Sequence, residues 1–403
     1  MNQVYKVQEG LYYIGGIDRR LQRFENIHPV PQGVTYNSYL IKDEKNCLMD
    51  GVDKAIGELF IENIDAVLDG EPLDYMVVNH VEPDHCQTIR LVLDLHPEAV
   101  LLTNAKAIKF LEQFYPYDFA SRAQLIKDKD VIDLGKHKLE FVQAANVHWP
   151  EVTMVYEQTE KWLFSADAFG SFKAFDGALF ADQTNWERDW LDEFRRYYVN
   201  IVGKFGGPVN KLLDKLSDRE IKMILPLHAL MFRTAETIGK AIDKYRHWAS
   251  YEAEEQGVVI VYGSLYENSM MTADRLAREL VDRGVREVRV FDVSGTDYSS
   301  IIAQCFRLSN AVFVCNNYNT ELFPNMDAFL RELVMLNWDN HNFSLIGNGS
   351  WGGKGIKIAE EILARAKKLE KVGETVQTLG SLSEETLPEL EKLADDIVAS
   401  LKK

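Results

Sequence analysis

The sequence predicts a two-domain α/β protein: a strand-rich layered sandwich followed by a doubly wound parallel sheet. Three observations carry that expectation. The chain has 403 residues, well beyond the roughly 150 of a typical domain. Up to Leu225, apolar β-branched segments are interspersed with helical patterns, as in sheets covered by helices. After an acidic stretch, Glu252 to Gln256, strand and helix alternate regularly to the end. That alternation is the mark of an open parallel sheet.

The first domain is expected over residues 1–252. Its strand-like runs are Tyr5 to Ile14, Tyr39 to Met49, Tyr75 to Asn79, Val100 to Thr103, Leu139 to Gln143, Thr153 to Glu157 and Met223 to Leu225. Helical patterns fall at Ala105 to Phe114 and Trp186 to Lys204. The second domain is expected over residues 253–403. Its five strands are Val258 to Tyr262, Val288 to Val293, Ala311 to Cys315, Phe343 to Ile346 and Val376 to Leu379. The helices between and after them are Met270 to Arg283, Tyr298 to Leu308, Met326 to Leu336, Ile356 to Leu369 and Leu387 to Leu401.

Composition narrows the function classes. The chain is 46% hydrophobic and 27% charged, ordinary for a globular protein. Its net charge is −17, which repels a phosphate backbone and disfavours general nucleic-acid binding. No run approaches the roughly 18 apolar residues of a membrane span, and Met1 to Lys6 lacks the apolar core of a signal peptide. Cys47, Cys86, Cys305 and Cys315 are far apart and form no CxxC pair. A thiolate metal centre and a disulfide framework are therefore disfavoured, and a reducing cytoplasm is expected.

The densest chemistry is the run His80-Val81-Glu82-Pro83-Asp84-His85, on the loop leaving the strand Tyr75 to Asn79. It offers four ligands in six residues. Pro83 fixes one φ and is expected to keep the run from continuing as a helix. Imidazoles with carboxylates and no thiolate suit iron, manganese or zinc. His148, Asp167 and His228 each follow an apolar segment, so strand ends could bring them to one sheet edge. The gaps are 62 residues from His85 to His148, 18 to Asp167 and 60 to His228. Alone, His148 or His228 would be read as a structural histidine. His96, His137, His247 and His341 are taken as surface or packing residues. Tyr36, Trp149 and His28 are candidates to line the pocket.

The run resembles the HxHxDH signature of the metallo-β-lactamase fold, with Glu82 in place of the second histidine. With the later His, Asp and His at these gaps, the chain resembles the flavodiiron proteins over essentially its whole length. The resemblance implies an αββα metallo-β-lactamase-like sandwich followed by a flavodoxin-like five-stranded sheet. It implies two irons, one held by His80, Glu82 and His148 and the other by Asp84, His85 and His228, with Asp167 bridging. A carboxylate in place of an imidazole suits iron cycling between +2 and +3.

The second domain offers a matching cofactor site. Its first strand runs into Ser264-Leu265-Tyr266-Glu267-Asn268-Ser269, and a helix follows. Hydroxyls and a helix N-terminus suit a monoester phosphate. Asn316-Asn317-Tyr318-Asn319 follows the third strand and Gly349-Ser350-Trp351-Gly352 the fourth. Ligands of such sheets sit outside the carboxyl ends of the strands. The half resembles flavodoxin, which implies FMN, with the first loop at the phosphate and the other two at the ring. Glu267 stands where the family often has Gly, and Cys315-Asn316-Asn317 replaces the usual Ser-Pro-Thr.

Flavin and diiron site together imply an oxidoreductase that reduces O2 to water, NO to N2O, or both. By the same resemblance a head-to-tail homodimer, or a dimer of dimers, is expected. The chain ends soon after its fifth predicted helix with no cysteine-rich module, so an external donor such as rubredoxin or a flavin reductase is expected. Two other readings use the same residues: a dinuclear zinc hydrolase, and a non-catalytic gas sensor or electron-transfer protein.

Overall fold

A computed structural model describes residues 2–402. The chain packs into two compact units, Met1–Tyr198 with Gly207–Arg246, and Val199–Gly206 with His247–Lys403. Apart from Val199–Gly206, the second unit thus takes over at His247, before the acidic stretch. Trp248 Nε1 donates to Glu254 at 2.7 Å, and the Tyr251 hydroxyl accepts from Gly206 N at 3.0 Å. These bonds tie the segment preceding Glu255 to the second unit.

The first sheet of the first unit has the order β1 Tyr5–Gln8, β2 Leu11–Tyr13, β3 Tyr39–Ile41, β4 Cys47–Met49, β5 Tyr75–Val77, β6 Val100–Thr103 and β7 Ala123–Leu125. Strands β1 to β4 pair antiparallel and β4 to β7 parallel. The second sheet is β8 Val131–Asp133, β9 Lys138–Gln143, β10 Thr153–Glu157, β11 Trp162–Phe164 and β12 Met223–Leu225. Its pairings are antiparallel except β11 with β12. All five residues of β10 are buried, so both faces of that strand are covered.

Two expected strands are hairpins. Tyr5 to Ile14 turns at Gly10, whose φ of +80° needs a residue without Cβ. Tyr39 to Met49 turns between Ile41 and Cys47. The expected helix Trp186 to Lys204 is broken. It consists of Trp186–Asp189, Leu191–Tyr197, a π-helical turn Tyr198–Val202 and a 3-10 turn Gly203–Phe205. The next helix, Gly206–Leu216, starts on Gly206-Gly207-Pro208, and Pro is tolerated in a first helical turn.

The second unit is one parallel sheet with β13 Glu255–Tyr262, β14 Val288–Asp292, β15 Leu308–Tyr318, β16 Asn342–Asn348 and β17 Val376–Thr378 in the order β14-β13-β15-β16-β17. Between them run α1 Asn268–Asp282, α2 Tyr298–Arg307, α3 Pro324–Met335 and α4 Gly355–Leu363, with α5 Leu387–Ser400 after β17. Helix α4 stops six residues before the expected Leu369. The chain after it forms the short strand Glu370–Lys371, paired with Asn342 and Phe343. Val258, Ile260, Leu276, Val312, Leu390 and Leu393 fill the core between the sheet and α1 and α5. The strand order reverses between β13 and β15, which places a ligand cleft at their carboxyl ends.

Candidate metal centre and cofactor cleft

Each expected metal ligand sits just beyond the carboxyl end of a strand. His80 follows β5, and Glu82 is an extended residue capping a four-residue helix, Pro83–Cys86. Pro83 therefore starts a helical turn at its first position rather than preventing one, which is where Pro costs a helix least. That turn aims Asp84 and His85. His148 sits in the loop joining β9 to β10, closed by Ala144 N to Val152 O at 3.0 Å. Asp167 follows β11 and His228 follows β12.

The seven residues converge. Asp167 Oδ2 lies 3.0 Å from His148 Nε2 and 3.4 Å from His80 Nε2. Asp167 Oδ1 lies 3.1 Å from His85 Nε2 and 3.6 Å from His228 Nε2. Glu82 Oε2 is 3.2 Å from both His80 Nε2 and His148 Nε2. Asp84 Oδ2 is 3.4 Å from His85 Nε2 and 3.3 Å from His228 Nε2. Two groups result, His80-Glu82-His148-Asp167 and Asp84-His85-His228, each with its donor atoms within 4.8 Å of one another.

These distances test whether a metal fits. Ligand atoms about 2.0–2.2 Å from one ion lie roughly 3–3.5 Å apart, which is the spacing seen. Among the described residues, both Asp84 oxygens, both His85 nitrogens, Asp167 Oδ1 and His228 Nε2 are buried without a hydrogen-bond partner. Of these, Asp84 Oδ2, His85 Nε2, Asp167 Oδ1 and His228 Nε2 face one another, an arrangement that is costly unless an ion satisfies it. Burial alone would raise the Asp167 carboxyl; the imidazoles of His85, His148 and His80 outweigh it and hold it well below the usual range. Burial would lower His85 and His148, but the carboxylates push both up to about 9.

The supporting groups were not singled out from the sequence. His80 Nδ1 lies 2.8 Å from Glu151 Oε1, and His228 Nδ1 donates to Thr35 O at 2.7 Å. Asp50, just after β4, accepts from Asn79 N at 2.7 Å and Asn79 Nδ2 at 2.8 Å. The Trp149 ring stands edge-on to His80 at 5.2 Å. His28 is buried against Phe172 rather than in the pocket. The pocket over Glu82 and Asp84 has a volume of about 470 Å³ and is lined by Leu21, Phe24, Glu25, Tyr36 and Asp53 among others. Glu25 projects from a small hairpin, Arg23–Phe24 against His28–Pro29, with φ +49° at its turn. Burial and the neighbouring Glu82 push its carboxyl up to about 8.

In the second unit a cleft of about 280 Å³ opens at the ends of β13, β15, β16 and β17. Ser264, Leu265, Tyr266, Asn268, Ser269, Asn316, Asn317, Tyr318, Asn319, Gly349, Ser350 and Trp351 line it; Glu267 and Gly352 do not. Thr320, Asn348 and Gly380 line it without having been expected. Asn348 and Gly380 clasp each other, Nδ2 to O at 2.9 Å and N to Oδ1 at 3.1 Å. Among the described residues, Ser264 Oγ and both amide atoms of Asn316 are buried without a partner. Those unmet groups fit the phosphate and polar ring edge of a flavin nucleotide. Glu267 takes φ +67° just before α1, the backbone region in which Gly is at home.

A family model described as ODP family beta lactamase matches residues 34–229, and a flavodoxin model matches residues 260–394. The nitric oxide reductase of Moorella thermoacetica is 30% identical over 386 residues, 94% of each chain. The crystal structure of the flavodiiron protein from Giardia intestinalis shows the same fold, with a TM-score of 0.90 at 23% identity over 100% of this chain and 98% of that one. The chain belongs to the flavodiiron proteins. Within the flavodiiron family it is also similar to the anaerobic nitric oxide reductase flavorubredoxin of Vibrio vulnificus, 30% identical over 86% of this chain and 70% of that one. The rubredoxin oxygen:oxidoreductase of Desulfovibrio gigas superimposes with a TM-score of 0.93 at 25% identity, over 99% of both chains. A flavodiiron chain pairs an FMN-binding flavodoxin half with a diiron centre, and the cluster of histidines and carboxylates suits those metals.

Proposed function

We propose that this flavodiiron protein reduces O2 to water, NO to N2O, or both, at two irons supplied with electrons through FMN. The observation that carries the reading is Asp167. Its two oxygens face two separate groups of donors, 3.0 Å from His148 on one side and 3.1 Å from His85 on the other. One iron would be held by His80, Glu82 and His148, the other by Asp84, His85 and His228, with Asp167 shared. When bound, the irons supply the redox centre for a diatomic gas and FMN supplies the electrons.

The chain's own part is to hold and enclose. Three carboxylates and four imidazoles give a donor set suited to both iron oxidation states. Leu21, Phe24 and Tyr36 line the pocket together with Glu82 and Asp84. In the other half, Ser264, Asn268, Ser269 and the start of α1 would take the FMN phosphate. Asn316, Asn317, Asn319, Gly349 and Ser350 would meet the ring, with Tyr318 and Trp351 at its faces.

The electron donor would be external, of rubredoxin or flavin-reductase type; the similar protein of Desulfovibrio gigas is a rubredoxin oxygen:oxidoreductase, which supports the first. Leu265, Tyr266, Tyr318 and Trp351 are exposed at the cleft. That rim suits cover by a second copy in a head-to-tail homodimer, alone or as a dimer of dimers. Among the described residues no helix is long and apolar enough to cross a membrane. Four free, buried cysteines suit the reducing cytoplasm.

Stopped-flow consumption of each gas by fully reduced protein, with iron and FMN counts, tests the reading. Sustained consumption at two irons and one FMN per chain is expected. Two zinc ions and no gas turnover would overturn it.

A further inference from the structure

We propose that Glu151 is a positioning residue for the metal position at His80: it fixes the His80 ring and makes that position the more firmly held of the pair. The inference rests on the diiron reading above. His80 and Glu151 are both buried, with Nδ1 2.8 Å from Oε1. An ionised carboxylate only accepts, so this bond places the proton on Nδ1 and leaves the Nε2 lone pair facing the cluster. Glu151 Oε1 also accepts from Val81 N at 3.2 Å. Among the described residues, Oε2 has no partner. A buried carboxylate so poorly paired is costly unless a positive charge lies close. A cation on His80 Nε2, across the imidazole ring, supplies that charge.

Among the described residues, no carboxylate bonds an imidazole of the other position from behind. The two positions match in their own donors, each with one carboxylate, two imidazoles and a share of Asp167. Behind them they differ. His228 Nδ1 meets the neutral carbonyl of Thr35 at 2.7 Å, and His85 Nδ1 has no partner among the described residues. Asp50 touches the backbone N of His80 at 3.4 Å and both nitrogens of Asn79, but no imidazole nitrogen. Among the described residues Glu151 is thus the carboxylate hydrogen-bonded behind an imidazole of only one position, whereas Asp50 acts on His85 through space alone. Its loop is also held in place, since Glu151 O accepts from Asn104 Nδ2 at 2.6 Å. The same loop supplies His148 three residues earlier, so it carries one ligand and the support of another.

The test uses full-length, FMN-loaded, iron-loaded protein, reduced without air and mixed with excess ferrous chelator. Iron release is timed for wild type, Glu151→Gln, Glu151→Asp and His148→Ala. Glutamine keeps an acceptor for His80 Nδ1, removes the charge and puts an NH2 in place of Oε2. In Glu151→Gln one of two irons should leave about ten- to a hundredfold faster, the usual loss for such partners. The other iron should keep the wild-type rate, FMN content should not change, and Glu151→Asp should recover part of the loss. Wild-type release of both irons in Glu151→Gln overturns the proposal. So does equal acceleration of both irons with loss of FMN, which would mark a merely loosened fold. If wild type holds fewer than two irons, or His148→Ala keeps both as firmly, the diiron reading itself fails.

Discussion

Asp167 is wholly buried among four imidazoles, whereas Tyr266 and Trp351 at the flavin cleft are 86% and 67% exposed. Both sites stand beyond the carboxyl ends of strands, and both contain buried polar atoms without partners. At the metal cluster those atoms belong to ionisable groups, and two of the ligands are braced from behind: His80 by Glu151, with Asp50 on the Asn79–His80 backbone, and His228 by Thr35. At the cleft they belong to the neutral Ser264, just after β13, and Asn316, near the end of β15. Charge taken out of water must be matched in place or the fold suffers. A neutral group costs less while it waits for its ligand. The first site should therefore fail abruptly when altered, and the second by degrees.

The sharpest way to break this contrast is Asp167→Ala. It removes the oxygens that face both groups of donors. Loss of a supporting partner alone costs about 10–100-fold, so loss of the shared ligand should lower gas consumption by more than about a hundredfold. Iron content should fall while FMN content holds. Retained iron and full consumption would show that the two groups do not act as one site.

Asp50→Asn comes next. Asp50 accepts twice from Asn79 and once from the backbone of His80. An asparagine would turn an NH2 toward the Asn79 amide or backbone N–H. Losing hydrogen bonds to a charged acceptor should lower stability by about 2–3 kcal/mol, read from chemical denaturation. A change below about 0.5 kcal/mol would mean that the Asn79–His80 backbone does not depend on Asp50.

Asn316→Ala probes the other side. It deletes an amide whose donor and acceptor are both buried and unmet. FMN affinity should weaken about tenfold, the worth of roughly one good hydrogen bond, measured by flavin fluorescence quenching. Iron content should stay the same. Unchanged affinity would place the ring edge elsewhere in the cleft.

What the sequence disclosed follows the same division. The run His80 to His85 was legible because four ligand types crowd six residues. His148, Asp167 and His228 had only strand-end placement, and their gathering was legible through resemblance. The supporting residues were not. Glu151 and Asp50 are two among 62 acidic residues, and no spacing marks them, because their partners are distant in sequence. Glu25 reaches the pocket only because the hairpin Arg23–Phe24 with His28–Pro29 carries it there. The regular alternation of the second unit was legible strand by strand. The hairpin at Gly10 was missed because one apolar run can fold back on itself without losing its alternation. The broken helix after Trp186 was missed because helical periodicity continues through the π-helical turn.

The smallest expected effect concerns Glu267. This residue holds φ +67° at the exposed entry to α1, a conformation that costs a residue with Cβ about 1–2 kcal/mol. Glycine relieves that cost but is freer in the unfolded chain, so Glu267→Gly should gain at most about 1 kcal/mol. Removing a carboxylate from the phosphate loop should also tighten FMN, though only a few-fold, because water screens an exposed charge. Titration of the metal-loaded protein with FMN at low and high salt separates the two contributions. The electrostatic part should fade with salt and the backbone part should persist. Weaker FMN binding by Glu267→Gly at both salt concentrations would mean that the side chain holds the loop in its binding shape, and the cleft would then depend on an internal partner as the metal cluster does.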